Sequence, residues 1–461
     1  VSVRELAFAL YGVRAGVIVR DRGRTTLTYD DAYLARPEST PLSLSMPLSD
    51  TPYPTRFVEA YLKGLLPDHG DVRERWASRF RVAPGDTLGL VAAIGADTAG
   101  GAVFAPVATL DDVLARGGAV EPLSTADVAA RLRRLREDDA AWHEDDEHWS
   151  LAGGQGKFTL TRTGPDGWGL PSGSTPSTHI VKPGIARIRA QALAEHVSMR
   201  ALRTVGLSVA ATSFDAFDDQ WAIVVERFDR RRRADGSIDR IHQEDLVQTF
   251  ALDPRRKYEA DRGPGVARIV DRLRGAADED SVDRFVDATI AGYLLGAPDG
   301  HAKNYSVLLA GRAVTLAPLY DVSTGLIPDA SGRLRYRSAA MSIGGERRFG
   351  EVERAHWDRF ATVVGRPASR VRDRVAELAR AVPTAVADAI AEAPASADAT
   401  YLRKVVQPAV EALGARTVAG LSSSRRVAGR VVQPFLETLE RSTSPSGEVV
   451  DEPWDGAQDR G

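Results

Sequence analysis

Two carboxylates and an amide, spaced around a short hairpin, constrain this chain more than any other feature. Asp299 and Asn304 stand five positions apart in the stretch Gly296-Ala-Pro-Asp-Gly-His-Ala-Lys-Asn-Tyr-Ser306. Asp321 follows 22 positions after Asp299, in Ala317-Pro-Leu-Tyr-Asp321-Val. Between them lie two short apolar runs, Ser306–Leu309 and Val314–Leu316. Such runs read as a hairpin, and a hairpin here returns Asp321 beside Asn304. Magnesium takes hard oxygen ligands from one or two side chains, with phosphate and water filling the rest. Asn304 and Asp321 meet that need as metal ligands, with Asp299 left to take up a proton. The competing reading is a plain turn, because Asp, Gly and Asn are the commonest turn formers.

The D-x-x-x-x-N spacing is also that of a protein-kinase catalytic loop, a reading that requires a kinase's other parts elsewhere in the chain. With 461 residues and 43% hydrophobic side chains there is room for two or three domains. Sixty Lys+Arg against 63 Asp+Glu leave a net charge of −3, which gives no global pull towards nucleic acid or a membrane. The absence of cysteine excludes disulfides, thiolate metal sites and cysteine nucleophiles. No apolar run approaches the ~20 residues of a membrane span, and the first residues, Val-Ser-Val-Arg-Glu, lack a signal peptide's apolar stretch. The expected location is cytoplasmic.

Residues 1–105 read as an accessory subdomain. Strands are expected at Leu6–Leu10, Gly16–Val19 and Thr25–Tyr29, the last two joined by the Asp21-Arg-Gly-Arg turn, with another at Leu42–Leu48. Phe57, Tyr61 and Leu65 mark a helix face, and short helices are expected over 71–80 and 86–95. Ala99-Gly-Gly-Ala102 reads as a close-packed turn. Residues 106–149 read as a helix and an acidic linker. Ser124-Thr-Ala-Asp127 opens that helix as a capping box, with Arg131, Arg133, Arg134 and Arg136 on a solvated face. The acidic run over 137–148 follows as a solvated linker.

Residues 150–235 read as a nucleotide-binding lobe. A glycine-rich turn, Ser150-Leu151-Ala152-Gly153-Gly154-Gln155-Gly156-Lys157, leads into the alternating Phe158-Thr-Leu-Thr161. Backbone N–H groups of such a turn approach phosphate oxygens, although an ordinary hairpin turn has the same pattern. Thr178-His-Ile-Val-Lys182-Pro183 is a β-branched strand ending in a lysine, as in the kinase strand whose lysine meets nucleotide phosphates. An edge-strand surface lysine is the alternative. Glu195 lies 13 residues on, in a helix expected over Ile188–Val205, as an ion-pair partner for Lys182. The strand Trp221–Glu226 leads into Arg-Phe228-Asp229, which suits a hinge between lobes. There, backbone groups at Glu226 and Phe228 face adenine and Asp229 reaches a ribose hydroxyl. Arg230–Arg233 with Asp235-Gly236 reads as an exposed hairpin, and His242-Gln-Glu-Asp245 as a structural brace.

In order, Ser150–Lys157, Thr178–Pro183, Glu226-Arg-Phe-Asp-Arg230, His242–Asp245, Lys257-Tyr258-Glu259, Asp299–Asn304, Leu316–Asp321 and Met341-Ser-Ile-Gly-Gly345 make the chain resemble the HipA family. These are serine/threonine kinase toxins of bacterial type II toxin–antitoxin systems. The resemblance implies Asp299 as catalytic base, Asn304 and Asp321 as Mg2+ ligands, and Lys182 on the phosphates of ATP. It also implies Leu151–Lys157 as the phosphate loop, Glu226 and Phe228 at the adenine, His301 near the phosphates, and inhibitory autophosphorylation at Ser150. It further implies a HipB-like helix-turn-helix antitoxin as partner, operator DNA bound mainly through that antitoxin, and an aminoacyl-tRNA synthetase as substrate. Two departures stand out: Ala194 precedes Glu195 where the family often has Asn, and Pro298 precedes Asp299.

The expected fold is α+β, a two-lobed protein-kinase-like fold with a small N-terminal accessory subdomain and a helical C-terminal lobe. The catalytic helical lobe is expected over 236–441. It includes a helix with Val371, Val375, Leu378 and Val382 on one face, stopped by Pro383, and helices over 399–413 and 424–441. Residues 442–461, rich in Ser, Pro, Gly and acid, are expected as a disordered tail. Two other readings share this sequence. One is a kinase of a small molecule; the other is a non-catalytic partner of a DNA-binding repressor.

Overall fold

The strand Gln220–Glu226 shows how the lobes are held together. Its side chains alternate, as every strand's do. Ala222 and Val224 enter one hydrophobic core, while Ile223 and Val225 enter a second. The computed structural model of the chain describes residues 3–115, 118–143, 147–165, 167–422, 435–437 and 440. Within it this strand belongs to a six-stranded sheet, in the order 120–123, 168–171, 158–162, 179–182, 220–226 and 212–217. The first core joins that sheet to the N-terminal unit. The second runs from the helix Gln191–Thr204 into the C-terminal helices.

The N-terminal unit is a four-stranded antiparallel sheet, in the order 24–29, 13–21, 5–10 and 102–106. The expected turn after Asp21 is present. Arg22 and Gly23 both have positive φ, as a two-residue hairpin loop between right-twisted strands requires. The expected strand at Leu42–Leu48 does not form; only a Ser43–Met46 bridge is made. The segment is instead held by side chains. The Tyr29 hydroxyl accepts from Leu42 N at 2.8 Å, and Leu44 N donates to Glu244 at 2.6 Å.

Two expectations about the linker fail for one reason. Arg131 lies on the stripe of Val128, Leu132 and Leu135, at the i, i+3, i+4, i+7 positions that face the core. It is 4% exposed and paired with the equally buried Glu147 at 2.5 Å. Glu147 and Trp142 therefore sit inside, with His143 stacked on Trp76 at 4.0 Å. The acidic run is thus not simply a solvated linker, whereas Arg133, Arg134 and Arg136 are exposed as expected.

Pro383 does not end its helix, which runs unbroken over Ala368–Glu392. Proline removes the hydrogen bond to the carbonyl four residues back. Here the helix continues because Ala385, Val386, Ala389 and Ile390 are buried beyond the proline. The next helix, Ala397–Ser422, packs against this one through Gly414, where a Cβ would lie 2.5 Å from the Ala379 carbonyl. The helix expected over 424–441 is described only at 435–437, which is helical, and at 440. The expected tail lies outside the described residues.

The N-terminal unit docks on His242–Asp245, the expected brace. His242 Nε2 lies 2.9 Å from Leu42 O, and Gly100 and Gly101 press directly on His242 and Gln243. Glu244, 1% exposed, accepts from Ser43 Oγ and Leu44 N at 2.6 Å each. Burial pushes its carboxyl up to about 8 from the ordinary 4.5. A group raised on folding stabilises the fold at low pH, and loses that contribution as pH rises through the folded value. We expect the melting temperature to fall between about pH 5 and pH 8, and Glu244→Gln to flatten that fall. An unchanged pH profile in Glu244→Gln would contradict this assignment.

Candidate active site

The helix Glu279–Leu294 delivers the chain to Gly296, whose φ of +64° and contact with Leu326 suit only glycine. Pro298 then packs under Gly325, stiffening the approach to Asp299. The Asp299 carbonyl accepts from Asn304 Nδ2 at 2.7 Å and from His301 N at 2.8 Å. These bonds close the loop and point the Asp299 carboxylate outward, 57% exposed. Tyr258 Oη donates to that carboxylate at 2.5 Å. His301 is 3% exposed, with Nε2 3.7 Å from Asp299 and Nδ1 without a hydrogen-bond partner among the described residues. Burial, the larger effect, lowers its pKa, and Asp299 opposes this.

The expected hairpin forms with Val307 opposite Leu316 and Ala310 opposite Ala313. Tyr320 Oη, 2.9 Å from the Lys303 carbonyl, ties its far end back to the loop. Asp321 follows with φ +57°, a left-handed conformation that aspartate tolerates better than most residues. Its carboxylate meets Lys182. Lys182 also donates to Glu195 at 2.8 Å, giving the expected ion pair. Both Lys182 and Glu195 are buried. Burial disfavours the Lys182 ammonium, yet Asp321 and Glu195 together raise its pKa. Burial likewise opposes the charge on Asp321, but Lys182 and then Lys157 hold it well below the usual carboxylate range. Burial pushes Glu195 up.

Asp299, Asn304, Asp321, Lys182, Glu226 and Phe228 all line one cleft of about 1150 Å³, with the glycine-rich turn at its edge. The donor set suits a hard cation. Asn304 turns its NH2 to a carbonyl and keeps an amide oxygen, and Asp321 adds a carboxylate. Among the described residues no group of three or more His, Cys, Asp or Glu is placed to hold a metal by itself. Two oxygen ligands with phosphate making up the rest is how Mg2+ is usually held.

In the turn, Gly153 has φ +106°, and its carbonyl accepts from Asp68 N at 2.9 Å. Lys157 points back into the loop, donating to Ala152 O at 2.8 Å above the Trp142 ring. Burial lowers its pKa to about 8. Ser150 is fully buried, and its Oγ donates to Leu65 O at 2.6 Å. Phe228 lies 5.5 Å from the Tyr320 ring, and Glu226 is exposed at the strand end.

Asp229, read from the sequence as reaching a ribose hydroxyl, lines the cleft but is engaged in a buried ion-pair cluster. It is 2% exposed and enclosed by Arg227 at 2.9 Å, Arg230 at 3.1 Å and Gly100 N at 2.6 Å. Burial opposes its charge, but Arg227 and then Arg230 keep its carboxyl well below the usual range. Asp97 completes the cluster from the N-terminal unit. We expect Arg227→Ala to cost about 3–5 kcal/mol in urea unfolding, since it leaves buried carboxylates without their main counter-charge. A loss below about 1 kcal/mol, the scale of a surface pair, would contradict this.

Sequence reasoning missed Asp68. It follows the helix Thr55–Gly64 and reaches the cleft, where it accepts from Lys303 at 2.5 Å and Lys257 at 2.9 Å. No motif marks it; the only signal is its place just past an amphipathic helix.

Residues 149–386 match the family model described as HipA-like C-terminal domain, and residues 6–104 match the HipA N-terminal domain. A kinase-named protein of Sinorhizobium fredii, Y4mE, is 31% identical over 386 residues, spanning 82% of this chain and 90% of that protein. The serine/threonine-protein kinase toxin HipA of Shewanella oneidensis is 29% identical over 331 residues, 66% of this chain and 71% of that one. The solved complex of the Shewanella oneidensis HipA, HipB and operator DNA superposes with a TM-score of 0.78. It covers 92% of this chain and all of that one at 24% identity, a likeness of fold.

Proposed function

The chain belongs to the HipA family of serine/threonine kinase toxins, and from that premise we propose that it transfers the γ-phosphoryl group of ATP to a serine or threonine hydroxyl of a protein. The observation that carries this reading is the convergence of Asp299, Asn304, Asp321 and Lys182 on one cleft. In the proposed reaction the substrate hydroxyl oxygen bonds to the γ-phosphorus as the β–γ bridging bond breaks. The hydroxyl proton passes to Asp299, and ADP leaves. Asp299 is exposed enough to meet a hydroxyl on another protein. Lys182, kept cationic by Asp321 and Glu195, neutralises phosphate charge, and the N–H groups of Leu151–Lys157 orient the phosphate chain. Glu226 and Phe228 border the adenine through backbone groups. Asn304 and Asp321 would hold Mg2+, which supplies charge neutralisation on the β- and γ-oxygens. Such transfer needs positioning and electrostatics more than covalent help.

Regulation at Ser150 belongs to the same proposal. The hydroxyl is buried against Leu65, so it is phosphorylated only when the loop leaves its place. A phosphoserine adds up to about two negative charges, which would keep the loop from returning beside bound ATP. The proposed partner is a HipB-like helix-turn-helix antitoxin that carries the operator contact, and an aminoacyl-tRNA synthetase is the proposed substrate. Phosphopeptide mapping after incubation with ATP and Mg2+ tests the regulatory step. Phosphate on Ser150 with a parallel fall in activity is the expected result; full activity in a stoichiometrically Ser150-phosphorylated chain would sink it.

A further inference from the structure

We propose that Asp68 is a positioning residue for the catalytic loop, contributed by the N-terminal unit and acting through Lys303 and Lys257. The proposal rests on the kinase reading of Asp299. Lys303 directly precedes Asn304 and is only 4% exposed on its side chain, so its ammonium needs a counter-charge. Asp68 Oδ1 supplies it at 2.5 Å, the only carboxylate paired with Lys303 among the described residues. Asp68 Oδ2 takes Lys257 at 2.9 Å. The Lys257 carbonyl in turn accepts from Ala302 N at 3.2 Å, inside the catalytic loop.

The residues after Lys257 extend the brace. Tyr258 donates to Asp299, and Glu259 accepts from Ser342 N at 2.5 Å and Ser342 Oγ at 3.0 Å. One carboxylate therefore holds the loop from both sides. The backbone of the same residue holds the glycine-rich turn, since Asp68 N donates to Gly153 O at 2.9 Å. Three residues earlier, Leu65 O holds Ser150. Burial works against a charged Asp68, but Lys303 and then Lys257 keep its carboxyl far below the usual range, so Asp68 stays a carboxylate at neutral pH. Other contacts between the units, such as Ser43–Glu244 and Asp97–Arg227, join them without touching this loop. Among the described residues, Asp68 alone hydrogen-bonds by its own atoms from the N-terminal unit to both loops that flank the cleft.

The test compares Asp68→Asn, Lys303→Met and the double variant in the full chain. Two readouts are needed: steady-state kinetics with ATP and a protein substrate, and amide hydrogen exchange of peptides over 299–304. Asp68→Asn keeps the backbone bond to Gly153, so KM for ATP should change little. Misplacing the loop should lower kcat by about 10- to 100-fold and speed exchange over 299–304. In the Lys303→Met background Asp68→Asn should add less than its full effect in the wild type, the remainder being its hold on Lys257, because coupled residues are not additive. That background also buries no unpaired Lys303 ammonium, so it reads the effect even if Asp68→Asn alone fails to fold. Wild-type kcat with unchanged exchange in Asp68→Asn overturns the proposal, as does a fully additive double variant. A wild type without any phosphoryl transfer overturns the kinase reading instead; the exchange comparison then decides whether Asp68 braces the loop.

Discussion

Asp299→Asn is expected to lower phosphoryl transfer by about 10²- to 10⁴-fold, the usual contribution of a positioned general base, while nucleotide affinity stays nearly unchanged. The substitution preserves shape. The Asp299 carbonyl, which anchors Asn304 and His301, is untouched, and an amide oxygen can still accept from Tyr258. What is lost is the carboxylate proposed to take up the hydroxyl proton. The effect should therefore appear in kcat rather than in ATP binding. Stopped-flow nucleotide binding beside steady-state kinetics separates the two. An Asp299→Asn variant with wild-type kcat would remove Asp299 from the reaction.

The second large effect is expected at Lys182. Lys182→Met removes the cation shared by Glu195 and Asp321 and leaves the buried Glu195 carboxylate facing that of the partly exposed Asp321. Activity should fall by about 10²-fold or more, as it does when a preorganised charge at a reacting oxygen is removed. Stability should also change, with a readable sign. In the wild type the depressed Asp321 pKa contributes stability present above the ordinary carboxylate range and lost as pH falls through the lowered value. Without Lys182 that contribution disappears, so the variant should lose melting temperature at pH 7, and the difference from wild type should shrink only as pH falls below the ordinary carboxylate range towards the lowered value. Glu195, already raised by burial, becomes the proton acceptor of the pair. Arginine should not restore activity, because its planar fork does not replace a compact ammonium between two carboxylates. A Lys182→Met chain with normal turnover would place the nucleotide elsewhere.

The parts legible in the sequence were those whose partners lie close along the chain or carry a motif. The hairpin over 306–316 returned Asp321 to the cleft as its apolar runs required. The strand ending at Lys182 and the helix with Glu195, 13 residues later, are one supersecondary unit, so their ion pair was readable from spacing. Asp229 shows the opposite case. Its local pattern, a carboxylate after a hinge strand, says nothing of Asp97 and Gly100 from the N-terminal unit, which close over it together with Arg227 and Arg230. Arg131 was misread because a long cationic side chain on a helix stripe is ordinarily solvated, and only the fold brings Glu147 against it. Asp68 was invisible because it acts on lysines 189 and 235 positions away. Pro383 fell to tertiary packing, which carried the helix past a residue that stops most helices.

The most direct test of the central claim is ATP-dependent phosphorylation of proteins in a bacterial lysate, comparing wild type with Asp299→Asn by quantitative mass spectrometry. The account predicts phosphoserine or phosphothreonine on a small number of lysate proteins, dependent on Mg2+ and absent with the variant. No protein phosphorylation by a wild-type chain that binds ATP would contradict it, and would move the cleft to a small-molecule acceptor or to a non-catalytic role.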